Sequence, residues 1–472
     1  MIGNRTKERD RNTQERQDFG TGSVSGAILR LAIPMTLAQL INVLYSVVDR
    51  IYIGHLPHTS TEALTGIGLA LPVITMVTAF SSLFGMGGAP LFSIERGREN
   101  LPKAQRIMGN SFSMLLITGV LLSVFCYIWK KPLLYLFGAS DTTFPYADAY
   151  LSIYLLGTIF VMVSLGMNNF INAQGFGVTG MLTVSIGAVL NLILDPVFIF
   201  VFHMGIRGAA LATILSQFVS AVWVFRFLTG KKAIIPLTKS SMRLDGQLVK
   251  DISVLGTSGF IMSVTNSAVQ IICNSTLQQY GGDLYVGIMT VINSVREILN
   301  IPVNGLSNSG QPVMSFNYGA RKYDRVKAAI RFMTISCIIF TLAIWALIFF
   351  FPHAFIRVFN SDPALLKYGV PSLHIYFFGI FMMALQFAGQ STFVALGYSR
   401  HAIFFSLLRK AVIVIPLTLW LPTVAGLGTT GVFLAEPISN FVGGIACFGT
   451  MMFTVWPRLG RDNASKEQAL RS

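Results

Sequence analysis

The chain of 472 residues is 53% hydrophobic and only 12% charged, where a soluble globular protein carries about 25% charged residues. This is the composition of a polytopic membrane protein. The formal net charge of +15 calls for no RNA or DNA partner, because the lysines and arginines lie mainly in loops that share one side of a membrane.

Residues 1–25 form a charged tail, and the apolar run after it is too long for a cleaved signal peptide. Runs of about 20 or more mainly apolar residues, enough to cross a ~30 Å hydrocarbon core as helices, follow at 27–53, 64–93, 106–129, 148–170, 179–202, 207–228, 248–277, 285–315, 330–351, 370–395, 402–421 and 428–455. The expected fold is therefore an all-α membrane protein with twelve transmembrane helices. Cys126, Cys273, Cys337 and Cys447 fall in different runs without metal spacing, and are expected to be small packing residues rather than disulfide partners.

Two of these runs carry acids that a bilayer disfavours. Asp49 lies near the end of the first, and Asn191-Leu-Ile-Leu-Asp195-Pro196 sits within the fifth. A carboxylate at membrane depth costs roughly 2.5 to 3.5 kcal/mol on insertion scales and normally faces a bundle interior or hydrated cavity with a partner. Asn191 and Asp195 are four residues apart and so share a helix face. Asp49 is the expected partner of Asp195. Arg50 follows Asp49 directly, but adjacent helical residues point about 100° apart, so Arg50 is expected to snorkel to the outer interface.

Orientation follows from the basic residues. The N-terminal tail, the second, central and eighth loops, Arg400 and the C-terminal tail contribute 25 of them on one side, against five on the other. The positive-inside rule then puts both termini in the cytoplasm. The two halves also repeat. Tyr154 and Gly157 recur as Tyr376 and Gly379, Gly97 as Gly319 and Gly175 as Gly397, each 222 residues on. The sixth run, GIRGAALATILSQFV, matches the twelfth, GTTGVFLAEPISNFV, at an offset of 223. An offset preserved over six spans implies parallel repeats, two pseudo-symmetric six-helix bundles with a cleft between them. The expected division is a cytoplasmic tail at 1–25, an N-lobe at 26–228, a cytoplasmic linker at 229–247, a C-lobe at 248–456 and a second cytoplasmic tail at 457–472.

Several stretches carry a family resemblance: LYSVVDRIYIGHL at 44–56, NNFINAQG at 168–175, NLILDPVFIF at 191–200, GAALAT at 208–213 and PVNGLSNSGQPVMSFNYGA at 302–320. Together they resemble the multidrug and toxic compound extrusion (MATE) family over nearly the whole chain, and within it the bacterial multidrug-pump branch. The resemblance implies a cell-membrane transporter that exports small organic cations such as drugs and dyes in exchange for Na⁺ or H⁺, with no enzymatic activity and no cofactor. A monomeric working unit is expected.

The resemblance also places the cation-coupling site on Asp49, Asn191, Asp195, Ala209 and Thr213. Helix geometry agrees with that placement. Asp195 lies ~11 Å before the outer end of its span and Thr213 ~9 Å from the outer start of the next, at 1.5 Å per residue. Ala209 and Thr213 again share a face. Two carboxylates, an amide oxygen and a hydroxyl suit Na⁺ through Asp49, Asn191, Asp195 and Thr213, or a shared proton.

In the C-lobe Asp49 has an apolar or amide counterpart near Gln270 or Ile271, and Glu436 stands opposite Thr213 in the repeat. Glu297 and Glu436 have Arg296, Arg409 and Lys410 at hand for ion pairs, with Glu436 singled out for a secondary role in attracting a cationic substrate or in gating. Candidates for the substrate cleft are Gln39, Asn42, Asn168 and Asn172 in the N-lobe and Asn266, Gln270 and Glu436 in the C-lobe. Pro34, within the span that carries Asp49, is the expected bending point. A two-bundle flippase for lipid-linked glycans is the alternative function, and would need cationic residues lining the cleft. The chain contains no GxxxxGK[ST] motif for ATP, no constellation for an intramembrane enzyme and no channel filter sequence.

Overall fold

The computed structural model describes residues 19–54, 60–358, 363–424 and 426–471, and all regular structure among them is helical. In the first half α1 spans Val24–Gly54, α2 Ser60–Gly97, α3 Leu101–Leu136, α4 Phe144–Leu156, α5 Thr158–Ala173, α6 Gly177–Pro196 and α7 Ile206–Thr229. In the second half α8 spans Gly246–Gly319, α9 Tyr323–Phe350, α10 Pro352–Arg357, α11 Pro363–Phe377, α12 Ile380–Ala395, α13 Ser399–Leu407, α14 Ile415–Trp420 and α15 Thr429–Arg471.

Each helix divides an inward face from an outward one, and both are apolar. On α3, Leu115, Leu122 and Cys126 are buried while Ile117, Leu121, Val124 and Ile128 form an exposed stripe. In water such a stripe would drive association; against lipid it is simply the outer surface of a bundle. Ten helices are long and apolar enough to cross a bilayer, and the α4–α5 pair, bent by 58°, makes one more broken span. The 74 residues of α8 are two helices joined at Gly282, whose φ of 66° and ψ of −165° only glycine adopts readily. Counted as two spans, α8 brings the described residues to the twelve expected.

The repeat is written into the backbone. Glu99 and Arg321, 222 residues apart, both have positive φ, as do Gly175 and Gly397 at the same offset and Gly205 and Gly428 at 223. Helices α5 and α12 begin and end at positions related by the same 222. Asn168 donates to the carbonyl of Gly180 at 3.2 Å, and its repeat counterpart Gln390 donates to that of Ala402 at 2.9 Å.

The chain divides into two compact units, one comprising Ile33–Phe260 and the other Phe19–Ala32 with Ile261–Ser472. The first unit thus runs past residue 228, through the central segment and into the start of α8. Three side chains of the N-lobe helices tie that segment down. Buried Asn110 on α3 accepts from the Asp245 amide at 2.8 Å and donates to the Arg243 carbonyl at 3.2 Å. Arg106 pairs with Asp245 at 2.6 Å, and Gln174 exchanges two hydrogen bonds with the backbone of Ile235. Gly109 packs so closely on the Ser241 backbone that a Cβ there would strike its carbonyl.

The second unit holds residues 19–22 in a comparable way. Arg325 donates to the carbonyls of Phe19, Thr21 and Gly22 at 2.8–2.9 Å, with Asn317 on Phe19 at 2.9 Å and Lys322 on Gly20 at 2.8 Å. Asn317 and Arg325 are the counterparts, 222 residues on, of Glu95 and Lys103, which form an ion pair of 3.1 Å in the first unit. With an amide in place of the acid, the Arg325 guanidinium keeps donors for the backbone.

Asn110→Ala would strand the Asp245 amide and the Arg243 carbonyl, at a cost of about 1–3 kcal/mol. We expect a lower thermal unfolding midpoint of the detergent-purified protein, and a smaller loss for Gln105→Ala, whose bond to the Pro236 carbonyl is exposed.

Candidate functional site

Helices α1, α6 and α7 contribute the central group of polar side chains in the first unit. Asp195 is the penultimate residue of α6, fully buried, directly before Pro196 and the wide π turn Val197–Val201. A proline and a π turn interrupt the regular ladder directly after the acid. Asn191, one turn earlier and also buried, donates from Nδ2 to Asp195 Oδ1 at 3.2 Å and, at 3.5 Å, to Thr213 Oγ1. The Thr213 hydroxyl spends its proton on the Ala209 carbonyl at 3.0 Å. Its oxygen is therefore turned outward as an acceptor. The Asp49 carboxyl from α1 comes within hydrogen-bonding contact of the Asp195 carboxyl.

All five expected coupling residues thus converge. Two carboxyl groups in contact inside an apolar bundle require something positive between them, a shared proton or a cation. Asn191 Oδ1 and Asp195 Oδ2 are buried and have no protein hydrogen-bond partner. Both are hard oxygen acceptors, so the donor set fits a small oxygen-seeking cation as well as a proton. Among the described residues no group of three or more His, Cys, Asp or Glu side chains gathers anywhere. The site's two acids and neutral oxygens suit a single small charge better than a multivalent metal centre.

Two tyrosines join this group that sequence reasoning passed over. Tyr150 contacts the Thr213 hydroxyl, and Tyr45 lies near Asp49. Tyr45 precedes Asp49 by four residues on the same helix face, a spacing readable from the sequence. The side chain of Arg50, expected at the outer interface, lies outside the described residues.

The cleft candidates divide. Gln39 is half-buried and Asn42 exposed on α1. Asn168 and Asn172 instead pack the amide layer between α5 and α6, where a Cβ on Gly180 would meet both side chains. Their polarity serves helix contact. In the second unit Asn266 and Gln270 line a cavity together with Arg296, Tyr376, Lys410 and Glu436. Glu436 differs from its expected role in attracting cations: Oε1 accepts from Arg409 at 2.7 Å and Lys410 at 3.0 Å, and Oε2 from Lys410 at 3.1 Å. Its charge is already neutralised. Glu297 is exposed and makes no ion pair among the described residues, while Arg296 donates to the Tyr376 hydroxyl at 2.8 Å instead.

The MatE family matches this chain twice, over residues 34–197 and again over 260–420. The chain belongs to the MATE family. It is a multi-pass membrane transporter and not an enzyme. The two matches fall one in each half, which agrees with the internal repeat. Multidrug export protein MepA of Staphylococcus haemolyticus is 25% identical over 452 residues, covering 95% of this chain and 97% of that protein. MepA of Staphylococcus saprophyticus is 24% identical, covering 84% and 87%. A MATE transporter solved in a bent conformation superimposes with a TM-score of 0.87 at 22% identity, covering 96% and 99%. An outward-facing multidrug resistance MATE transporter gives 0.85 at 23% identity, covering 95% and 98%.

In this MATE chain the Glu436 bridge is a structural commitment with a measurable consequence. Glu436→Gln leaves Lys410 buried without its carboxylate, which costs about 3–5 kcal/mol when one partner of a buried pair is removed. Unfolding of the purified protein should shift to markedly lower temperature. The double variant Lys410→Met, Glu436→Leu should recover only part of that shift, because Arg409 still loses its carboxylate.

Proposed function

We propose that this MATE chain is a secondary active multidrug efflux transporter that exports organic cations in exchange for Na⁺ or H⁺, with its coupling site at Asp49, Asn191, Asp195, Ala209 and Thr213. The observation that carries the reading is the contact between the Asp49 and Asp195 carboxyls, beside oxygens of Asn191 and Asp195 that no protein donor reaches. Multidrug export by the MepA relatives supports the substrate class.

The site operates in alternation. In the outward-open state a proton or Na⁺ enters between the two carboxyls and removes their repulsion, so α1 and α6 draw together. Thr213 offers its oxygen because its hydroxyl proton is held by Ala209. Pro34, within α1 and fifteen residues before Asp49, lies beside the point where the chain passes from one compact unit to the other. With its N–H missing, the helix bends there at low cost, and movement of Asp49 is transmitted along α1. A related transporter has been solved in both bent and straight conformations. Release of the organic cation follows. A membrane potential of 100 mV supplies about 2.3 kcal/mol per charge entering. The transporter sits in the cytoplasmic membrane with both termini cytoplasmic, as its basic loops require, and functions as a monomer.

Ethidium efflux from energised vesicles, with the Na⁺ gradient and the pH gradient imposed separately, tests the scheme. Asp49→Asn and Asp195→Asn should each lower gradient-driven efflux at least tenfold, and whichever gradient alone drives the parent identifies the coupling ion. Efflux from both variants equal to the parent's would remove the site.

A further inference from the structure

The second unit contains a cluster that the coupling scheme leaves unused. A cavity of about 20 Å³, room for one or two water-sized bodies, is lined by Arg296, Tyr376, Lys410 and Glu436 with the amides of Asn266 and Asn293. Adding Arg409, which pairs with Glu436, the group carries three cations and one carboxylate. Glu436 is fully engaged by Arg409 and Lys410. Arg296 reaches only a neutral acceptor, the Tyr376 hydroxyl at 2.8 Å, and forms no ion pair among the described residues. Arg409 Nε is buried without a hydrogen-bond partner.

Cationic donors therefore outnumber carboxylates around a partly open cavity. Arg296 has N–H groups beyond the one on Tyr376, Tyr376 keeps its own O–H, and Lys410 has a third N–H. Arg296, half-buried, shares the single Glu436 carboxylate with Arg409 and Lys410, so the cluster keeps an excess of positive charge. The repeat sharpens the contrast. Tyr376 corresponds to Tyr154 at an offset of 222, and Glu436 to Thr213 at 223. The first unit gathers two acids in its polar centre; the second gathers an excess of bases.

We propose that this C-lobe cavity binds a small inorganic monovalent anion of the halide class, held by Arg296 and Lys410 with the Tyr376 hydroxyl and the amide groups completing its shell. The room inside the cavity suits a single small ion. The anion acts as a fixed counter-ion of the bundle, opposite in sign to the ion carried by the N-lobe.

The test uses the full-length protein in lipid nanodiscs at constant Na⁺, pH and ionic strength, with chloride exchanged stepwise for gluconate, a bulky carboxylate. Chloride should raise the unfolding temperature saturably by a few degrees. Arg296→Gln should abolish that response, and Asp195→Asn should keep it. Superimposable melting curves in the two salts, or an unchanged chloride response in Arg296→Gln, would overturn the proposal. Crystals of the parent protein grown in sodium bromide decide the matter without any variant. Anomalous density beside the Arg296 guanidinium supports the site, and its absence there means that the cavity holds water only.

Discussion

Two carboxyl groups touching inside an apolar helix bundle are the constraint around which the N-lobe is arranged. Neither Asp49 nor Asp195 could remain charged there alone, and together they repel unless a positive charge is shared. The surrounding geometry serves that pair. Pro196 and the π turn after it interrupt the helix ladder at the acid, Asn191 holds one oxygen of Asp195, and the Ala209 carbonyl takes the Thr213 hydroxyl proton so that the oxygen is left as an acceptor. The polar centre of the bundle is thus an acceptor surface whose stability depends on what occupies it, and that dependence is the property a coupled carrier needs.

Duplication supplied a second bundle with the same plan and let it diverge. Where the function is packing, the repeats have kept the contact. Asn168 and Gln390 differ in length, yet each donates to the carbonyl twelve residues on. Where charge is involved they have parted. Glu95 and Lys103 form an ion pair, whereas Arg325 donates Nε to the Asn317 amide oxygen and its other nitrogens to the backbone of Phe19, Thr21 and Gly22. The divergence is largest in the polar centres, acidic in one lobe and predominantly basic in the other.

This difference bears on how a potential acts on the protein. In the exchange proposed above a cation entering the N-lobe would move charge, whereas the Arg409–Lys410–Glu436 bridge fixes charge in the C-lobe. Salt bridges inside a bundle contribute little net stability over apolar packing. Their value lies in discriminating between arrangements of the chain, because breaking one exposes an uncompensated charge.

The architecture was legible in the residues themselves. Twelve apolar runs, the 222-residue offset and the intramembrane acids follow from rules that operate locally: a helix must satisfy its own backbone in lipid, and an acid at depth must have a use. The set Asp49, Asn191, Asp195, Ala209 and Thr213 came from the family resemblance, and rise per residue agreed by placing all of them at similar depth. Other contacts depended on which helix faces meet, and spacing along one helix does not specify that. Folding in three dimensions committed Asn168 and Asn172 to Gly180, drew Arg296 to Tyr376 rather than to Glu297, and joined Glu436 to two bases. Long side chains on neighbouring helices can satisfy their charges in several ways. The packing of backbones, close where Gly109 meets the backbone of Ser241, selects one.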